Sequence, residues 1–364
     1  MSGPRIPFMD LHVGEELLDV RAAVDRVVNS GWFVLGPEVD AFEREFASAS
    51  GAEFAVGIGN GTDAIALALR GLGIGAGDEV ITTPLSAAYT ALAILMTGAR
   101  PVFADIDPER MTLDPAAAER AITPRTAALL PVHLYGQGAD MPALAGLASR
   151  KGLALIEDCC QAHLATCAGR PVGTFGAAGA FSFYPTKNLG ALGDAGAVIT
   201  GDRALAERIK RLRNGGQADR YHHVEAGVNS RLDELQAGIL RARLPFLRRR
   251  TDQRRALAAE YRSRLKDAPV KVPAQVDGGH VYHLFPVRSP RRTFLQSHLR
   301  ADGIETLVHY PVAVSEQPAF ASTNPADCPI AIQAAAEVFS LPLYPGLSLE
   351  SVQAVADALR KEYL

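Results

Sequence analysis

Cysteine and tryptophan are scarce in this chain of 364 residues, with four of the first and one of the second. Cys159, Cys160, Cys167 and Cys328 contain no C-x-x-C pair, which argues against a zinc site and a metal requirement. So few thiols do not make a disulfide-stapled scaffold either, and free buried cysteines in a cytoplasmic protein are expected. No run of about 18 apolar residues occurs, so no membrane-spanning helix is expected. Residues 1–10 carry Pro4, Arg5 and Pro7 but no apolar stretch of the kind a secretory leader needs. A dominant charge is also missing: 37 basic residues against 40 acidic ones leave −3, which excludes the global basic field expected of a nucleic-acid or membrane-surface binder. No repeat or low-complexity segment stands out.

Hydrophobic residues are plentiful at 48%, enough at this length to bury a large core without staples. Nearly all-apolar runs at Val80–Thr83, Pro101–Asp105, Ala127–Leu134, Ala154–Asp158, Ala180–Tyr184 and Ala197–Thr200 read as strands covered on both faces. Helical patterns lie between them, as at Ala64–Leu72, Pro142–Lys151 and Arg203–Arg213. That alternation predicts an α/β fold with a mostly parallel, doubly wound sheet. Glu15–Asn29 and Pro37–Ser50 read as helices ahead of the sheet, and Leu232–Leu265 as a long helix broken near Pro245. Val281–Val287 reads as a strand, and Arg291–Asp302 and Leu349–Leu364 as helices. The expected division is a large α/β domain over 1–246 and a smaller α+β domain over 247–364.

Four segments bear on chemistry. Gly71-Leu-Gly-Ile-Gly-Ala-Gly77 has the glycines of a dinucleotide fingerprint, but it leaves a helix and enters a strand, the reverse of what that motif needs. Gly57-Ile-Gly-Asn-Gly-Thr-Asp63 precedes a helix; Gly61 and Thr62 there suit either an anion site at a helix N-terminus or an ordinary capped start. Ala154-Leu-Ile-Glu-Asp158 ends an apolar strand in two acids, placing Asp158 to hold a cation, a metal or a protonated ring nitrogen, or to cap a helix. Gln161 and His163 would line the same crevice. Ala180-Phe-Ser-Phe-Tyr-Pro-Thr-Lys-Asn-Leu-Gly190 carries Lys187 in an apolar, glycine-rich setting, whereas Lys151, Lys210, Lys266, Lys271 and Lys361 sit in polar ones. Burial lowers an ammonium's pKa and frees its lone pair for attack on a carbonyl; a surface loop lysine is the alternative. A lysine amine, an acid for a ring nitrogen and a phosphate cup together meet the needs of pyridoxal phosphate.

With these residues in place the chain resembles the sugar aminotransferases of the DegT/DnrJ/EryC1/StrS type, of aspartate-aminotransferase-like fold (fold type I). The likeness runs from Ile6-Pro-Phe-Met-Asp-Leu11 to about Phe320. It is carried by Gly59-Asn-Gly-Thr-Asp-Ala64, Glu157-Asp-Cys-Cys-Gln-Ala-His163, Ser182-Phe-Tyr-Pro-Thr-Lys-Asn-Leu-Gly190 and Asn229-Ser-Arg-Leu-Asp-Glu-Leu-Gln236.

The resemblance implies that Lys187 bonds pyridoxal 5'-phosphate and shuttles the proton, while Asp158 pairs with the pyridinium nitrogen. By the same likeness Gly61, Thr62 and Ser182 bind the phosphate, Tyr89 stacks on the ring and Gln161 lies near the ring oxygen. Asn229 is lent to the neighbour's phosphate site, which implies a homodimer with shared active sites. Trp32, Phe33, Tyr184, Arg220, His309 and Tyr310 are the implied sugar-nucleotide contacts, His309 and Tyr310 suiting interior packing equally well. A diphosphate also needs cations, for which Arg231 and Arg248–Arg250 are candidates, although a charge run such as 248–250 more often marks a solvated helix face. The implied reaction moves an amino group from L-glutamate to a nucleotide-linked keto-deoxysugar, dTDP-linked by analogy. Ser30-Gly-Trp-Phe-Val-Leu-Gly36 and His133-Leu-Tyr-Gly-Gln137 favour C-3. Transfer at C-4, transfer to a keto-cyclitol and a non-catalytic cofactor-binding regulator are the alternatives. Ala313 and Ser315 stand where the family often has proline and histidine, and Leu164 where it has a small residue.

Overall fold

The computed structural model describes residues 6–323 and 327–361. Helices α1 (Leu17–Ser30) and α2 (Pro37–Ser50) open the chain, each ended by a left-handed glycine: Gly31 at φ 66° and Gly51 at φ 70°. Then follow β1 (Phe54–Ile58), α3 (Gly61–Gly71), β2 (Glu79–Thr82), α4 (Tyr89–Met96), β3 (Arg100–Phe103), α5 (Pro115–Arg120) and β4 (Thr126–Leu129). Next come α6 (Met141–Lys151), β5 (Ala154–Asp158) and a small hairpin of β6 (Thr166–Cys167) and β7 (Arg170–Pro171). β8 (Ala178–Ser182), β9 (Gly196–Thr200) and α7 (Arg203–Leu212) complete this part.

Seven strands form one sheet in the order β1-β9-β8-β5-β4-β2-β3. β3, β2, β4, β5 and β8 run parallel to their neighbours, and β9 and β1 close that side antiparallel. The expected α/β class and mostly parallel sheet are therefore the observed ones. One face buries Phe42, Phe46, Ile81, Leu129, Leu155 and Phe181 under α2 and α6. The other buries Val56, Ile58, Ile65, Leu69, Ile156, Val198 and Ile209 against α3 and α7. Residues on both faces are apolar because both faces are covered.

Two expected strands are shorter than their apolar runs. The run 127–134 leaves the sheet after Leu129, because Pro131 has no N–H to give; pairing resumes where Pro131 O accepts from Asp158 N and His133 N donates to Asp158 O. The chain then makes a 3-10 turn at Leu134–Gly136. Val281 N and His283 N donate to Gly136 O and Tyr135 O, so they are held by that turn and regular pairing waits for β12 (Phe285–Arg288). β1 was not among the expected strands.

Beyond α7 lie a hairpin, β10 (Gln217–Asp219) and β11 (His222–His223), then α8 (Glu234–Arg243) and α9 (Leu247–Arg264) joined by a 3-10 turn at Leu244–Phe246. The helix break expected near Pro245 is thus present. After β12 come α10 (Arg292–Ala301), α11 (Pro329–Glu337), β13 (Val338–Leu341), antiparallel to β12, and α12 (Leu349–Lys361). The final residues of the expected 349–364 helix lie outside the described residues. Tyr261, Phe285, Leu299, Phe339, Val355 and Leu359 form a separate core that also takes in Ile6, whose N–H and C=O pair with Gly303 and Glu305.

Buried carboxylates lock the layers. Glu234, at the start of α8, accepts from Gly36 N, Glu38 N and Val39 N at 2.8–2.9 Å and so satisfies the first turn of α2 from another helix. Glu79 accepts from Arg100, Thr123 and Arg125, and these partners outweigh the cost of its burial, holding its carboxyl at about 2 instead of the ordinary 4.5. A carboxylate depressed in the folded state stabilises above its unfolded pKa and loses that contribution as pH falls. Glu79→Gln should therefore cost about 1–2 kcal/mol at pH 7, its arginines being partly solvated, and flatten the loss of stability between pH 4.5 and 2. Urea unfolding across that range checks it; parallel wild-type and variant curves would contradict it.

Candidate active site

The carboxyl ends of β5 and β8 and the N-terminus of α3 converge on one cavity of about 1100 Å³. Strand alternation splits the acid pair at the end of β5. Glu157 turns into the protein, where it meets His133 Nε2 at 3.0 Å and accepts from the N–H groups of Gly173, Phe175 and Gly176. It anchors the loop that leads into β8. These contacts, with Ala139 N donating to His133 Nδ1, satisfy His133 and Glu157. The nearby group of His133, Glu157 and Cys159 is therefore accounted for without an ion.

Asp158 faces the cavity. Thr90, in the first turn of α4, donates to its Oδ2 at 2.7 Å, and Cys160 N donates to Oδ1 at 3.0 Å. The carboxylate is thereby fixed in orientation while remaining on the cavity wall.

Lys187 follows β8 on a turn closed by its own N–H to Tyr184 O at 2.8 Å. Its amine sits on the cavity wall, and loss of hydration lowers its pKa, opposed by Cys160 and Asp158. The surface-loop alternative is thus excluded.

α3 begins in the same wall. Asn60, not Thr62, is the cap: its side chain accepts from Asp63 N at 2.9 Å, and Ser230 Oγ donates to Asp63 at 2.6 Å. The N–H groups of Gly61 and Thr62 find no acceptor among the described residues. A side chain at position 61 would have its Cβ 2.7 Å from Ser182 Cβ and 2.9 Å from Cys160 Sγ, so glycine is needed for β8 and α3 to meet. Free helix N–H groups beside the Ser182 hydroxyl make an anion cradle.

Tyr89, Gln161, Tyr184, His309 and Tyr310 also line the cavity. Gln161 Oε1 accepts from Tyr135 N at 2.7 Å and its Nε2 reaches the Tyr310 hydroxyl at 3.1 Å. Burial raises that hydroxyl to about 12, and burial with the Lys187 charge lowers His309 to about 4.

The remaining expected residues lie elsewhere. His163 is not on the cavity wall; it is buried behind Ser182, whose carbonyl its Nε2 meets at 2.9 Å, and burial lowers it to about 3. Trp32 and Phe33 are exposed before α2, with Trp32 Nε1 donating to Val34 O. Arg220 is exposed at the β10–β11 turn beside Tyr221, and Asn229 is exposed and bridged to Asn214. Arg231 donates to Asn214 Oδ1. Arg249 and Arg250 pair with Glu15 and Glu16, so these two residues of the Arg248–Arg250 run tie α9 to the start of α1.

Among the cavity residues that escaped the sequence reading are Thr90 and His283. Thr90 is concealed in a uniformly apolar helix. His283 was absorbed into an expected strand; a histidine in an apolar run was the available signal.

The donor set suits pyridoxal 5'-phosphate: a desolvated amine, an oriented carboxylate and an anion cradle around one cavity. The sequence model of the DegT/DnrJ/EryC1/StrS aminotransferase family matches residues 16–360. The dTDP-3-amino-3,4,6-trideoxy-alpha-D-glucose transaminase of Streptomyces venezuelae is 50% identical, with 98% of this chain and 96% of that protein covered. A "pleiotropic regulatory protein" of Geobacillus stearothermophilus is 45% identical over 98% of each chain. The crystal structure of S. venezuelae DesV in complex with a ketimine intermediate superposes with a TM-score of 0.96, at 50% identity and 99% coverage of both chains.

Borohydride reduction after incubation with pyridoxal 5'-phosphate should place a single adduct on the peptide carrying Lys187, found by mass spectrometry. Lys187→Ala should give none while its circular dichroism is unchanged. An adduct on another lysine would overturn the assignment.

Proposed function

The chain belongs to the DegT/DnrJ/EryC1/StrS aminotransferase family, and from that membership we propose that it transfers an amino group from L-glutamate to the C-3 keto group of a nucleotide-linked, dTDP-type keto-deoxysugar. It is an aminotransferase of fold type I. The observation that carries the reading is that Lys187 and Asp158 line one cavity that also opens onto the free N–H groups of α3.

The cofactor, when bound, supplies an aldehyde for the amine and a ring that withdraws electrons from the substrate carbon. Lys187 Nζ holds the cofactor and moves the proton between carbon and nitrogen in each half-reaction. Burial lowers its ammonium pKa below the ordinary lysine value, which eases release of that proton. Asp158, steadied by Thr90 and Cys160 N, would accept a charge-assisted hydrogen bond from the ring nitrogen. Gly61 N, Thr62 N and the Ser182 hydroxyl would take the phosphate; of the other cavity residues, Tyr89 and Gln161 would hold the ring, and Tyr184, His309 and Tyr310 would contact the sugar.

The protein acts as a homodimer in this reading. Lys187 is the one lysine or arginine on the cavity wall among the described residues, yet the cofactor phosphate, a sugar diphosphate and glutamate all bring negative charge. Arg220 and Asn229, exposed and away from their own cavity, would supply the partner's site, with Trp32 and Phe33 near the shared mouth.

A cytoplasmic setting fits the four free cysteines. Among the described residues no helix is long and apolar enough to cross a membrane. The regulator alternative, which the name of the G. stearothermophilus protein would suggest, is not favoured, because the S. venezuelae relative, 50% identical over nearly the whole chain, is named a transaminase.

With glutamate, the enzyme should aminate 3-keto nucleotide sugars and leave 4-keto isomers untouched, with product regiochemistry read by NMR. Amination confined to C-4 would overturn the C-3 assignment. Lys187→Ala and the double variant Arg220→Ala/Asn229→Ala should each be impaired alone. Refolded together they should regain part of the activity, since one mixed-dimer site is intact; no recovery would contradict shared sites.

A further inference from the structure

We propose that His283 presents an unprotonated Nε2 to the cavity as a substrate-recognising acceptor, in a tautomer set by Asn188, the residue next to Lys187. The inference rests on the aminotransferase reading for the identity of what binds, and on geometry for the state of the ring. Asn188 Nδ2 donates to Val281 O at 3.1 Å. A carbonyl oxygen only accepts, so this bond orients the amide and leaves Oδ1 toward His283. Oδ1 also only accepts, and His283 Nδ1 lies 3.3 Å from it; Nδ1 must therefore carry the proton. A neutral imidazole has one N–H, so Nε2 is left bare.

The ring is held in place from three sides. His283 N donates to Tyr135 O at 2.9 Å, Arg254 donates to His283 O at 3.3 Å, and Asn188 holds Nδ1. Nε2 has no protein partner among the described residues. It is also not sealed away as His163 Nδ1 is, and the residue lines the cavity with Lys187. Burial and the charges of Lys187 and Arg254 hold the ring neutral, well below the ordinary histidine pKa. A neutral, immobile acceptor beside the reactive amine suits an N–H or O–H donor next to the reacting carbon. Glutamate's amino group and a sugar hydroxyl both have that chemistry. Asn188 thus links the loop of the reactive lysine to a recognition group arriving from the Val281–His283 segment.

The experiment has two parts. Long-range ¹H–¹⁵N spectra of histidine-labelled protein should show His283, identified by its loss in His283→Gln, as the Nδ1–H tautomer. Asn188→Ala should shift it toward the Nε2–H form. A wild-type Nε2–H tautomer would overturn the proposal whether or not the enzyme transfers amino groups.

The second part follows the bound cofactor's absorbance in single turnovers, with glutamate in one arm and the keto sugar in the other. His283→Phe should lose about tenfold or more in kcat/KM in one arm, the arm naming the group recognised, whereas His283→Gln, whose carbonyl can accept, should keep most of it. Equal rates for His283→Phe and wild type in both arms would overturn the proposal. So would a His283→Gln protein with native circular dichroism but the full loss. Failure of the wild type in both arms would instead count against the aminotransferase reading, with the tautomer result standing by itself.

Discussion

The site depends on keeping a primary amine out of bulk water while holding a carboxylate across the same cavity from it. Either group alone is unremarkable in a protein of this size. Together they divide the work: the desolvated amine of Lys187 surrenders its proton more readily, and Asp158 stays ready for a cationic partner. The sheet brings this about. β5 and β8 are parallel neighbours, so the acid ending one and the loop leaving the other emerge at the same edge. α3 presents its N-terminus there because Gly61 allows it to approach Ser182.

Much of this was legible in the residues. The apolar runs identified the buried parallel strands, and the glycine-rich, apolar setting of Lys187 distinguished it from the other lysines. The break expected near Pro245 falls where α8 and α9 part. What the pattern hid has physical causes. Pro131 and the turn at Leu134–Gly136 cut short runs that composition alone extends. β1 pairs antiparallel at the edge, and its short Phe54–Ile58 run lies beside a glycine-rich loop that masks it. His283 and Thr90 reach the cavity through tertiary packing, which no periodicity encodes.

Charge tells a similar story. In one dimension the arginines of 248–250 read as a solvated helix face or, less readily, as cations for a diphosphate; in three, Arg249 and Arg250 meet Glu15 and Glu16. Arg220, by contrast, stands in the open on a hairpin turn with Tyr221 beside it. The difference between a structural and a recruiting arginine lies in what distant segment arrives next to it.

The adjacent acids at the end of β5 carry one more consequence. Glu157 grips a loop from below and Asp158 serves the cavity above, and nothing but the pleat tells them apart. A slip of one residue along β8 would exchange their duties, leaving the loop untethered and the ring without its counter-charge. The phase of hydrogen bonding in an interior strand is here a chemical instruction as much as an architectural one.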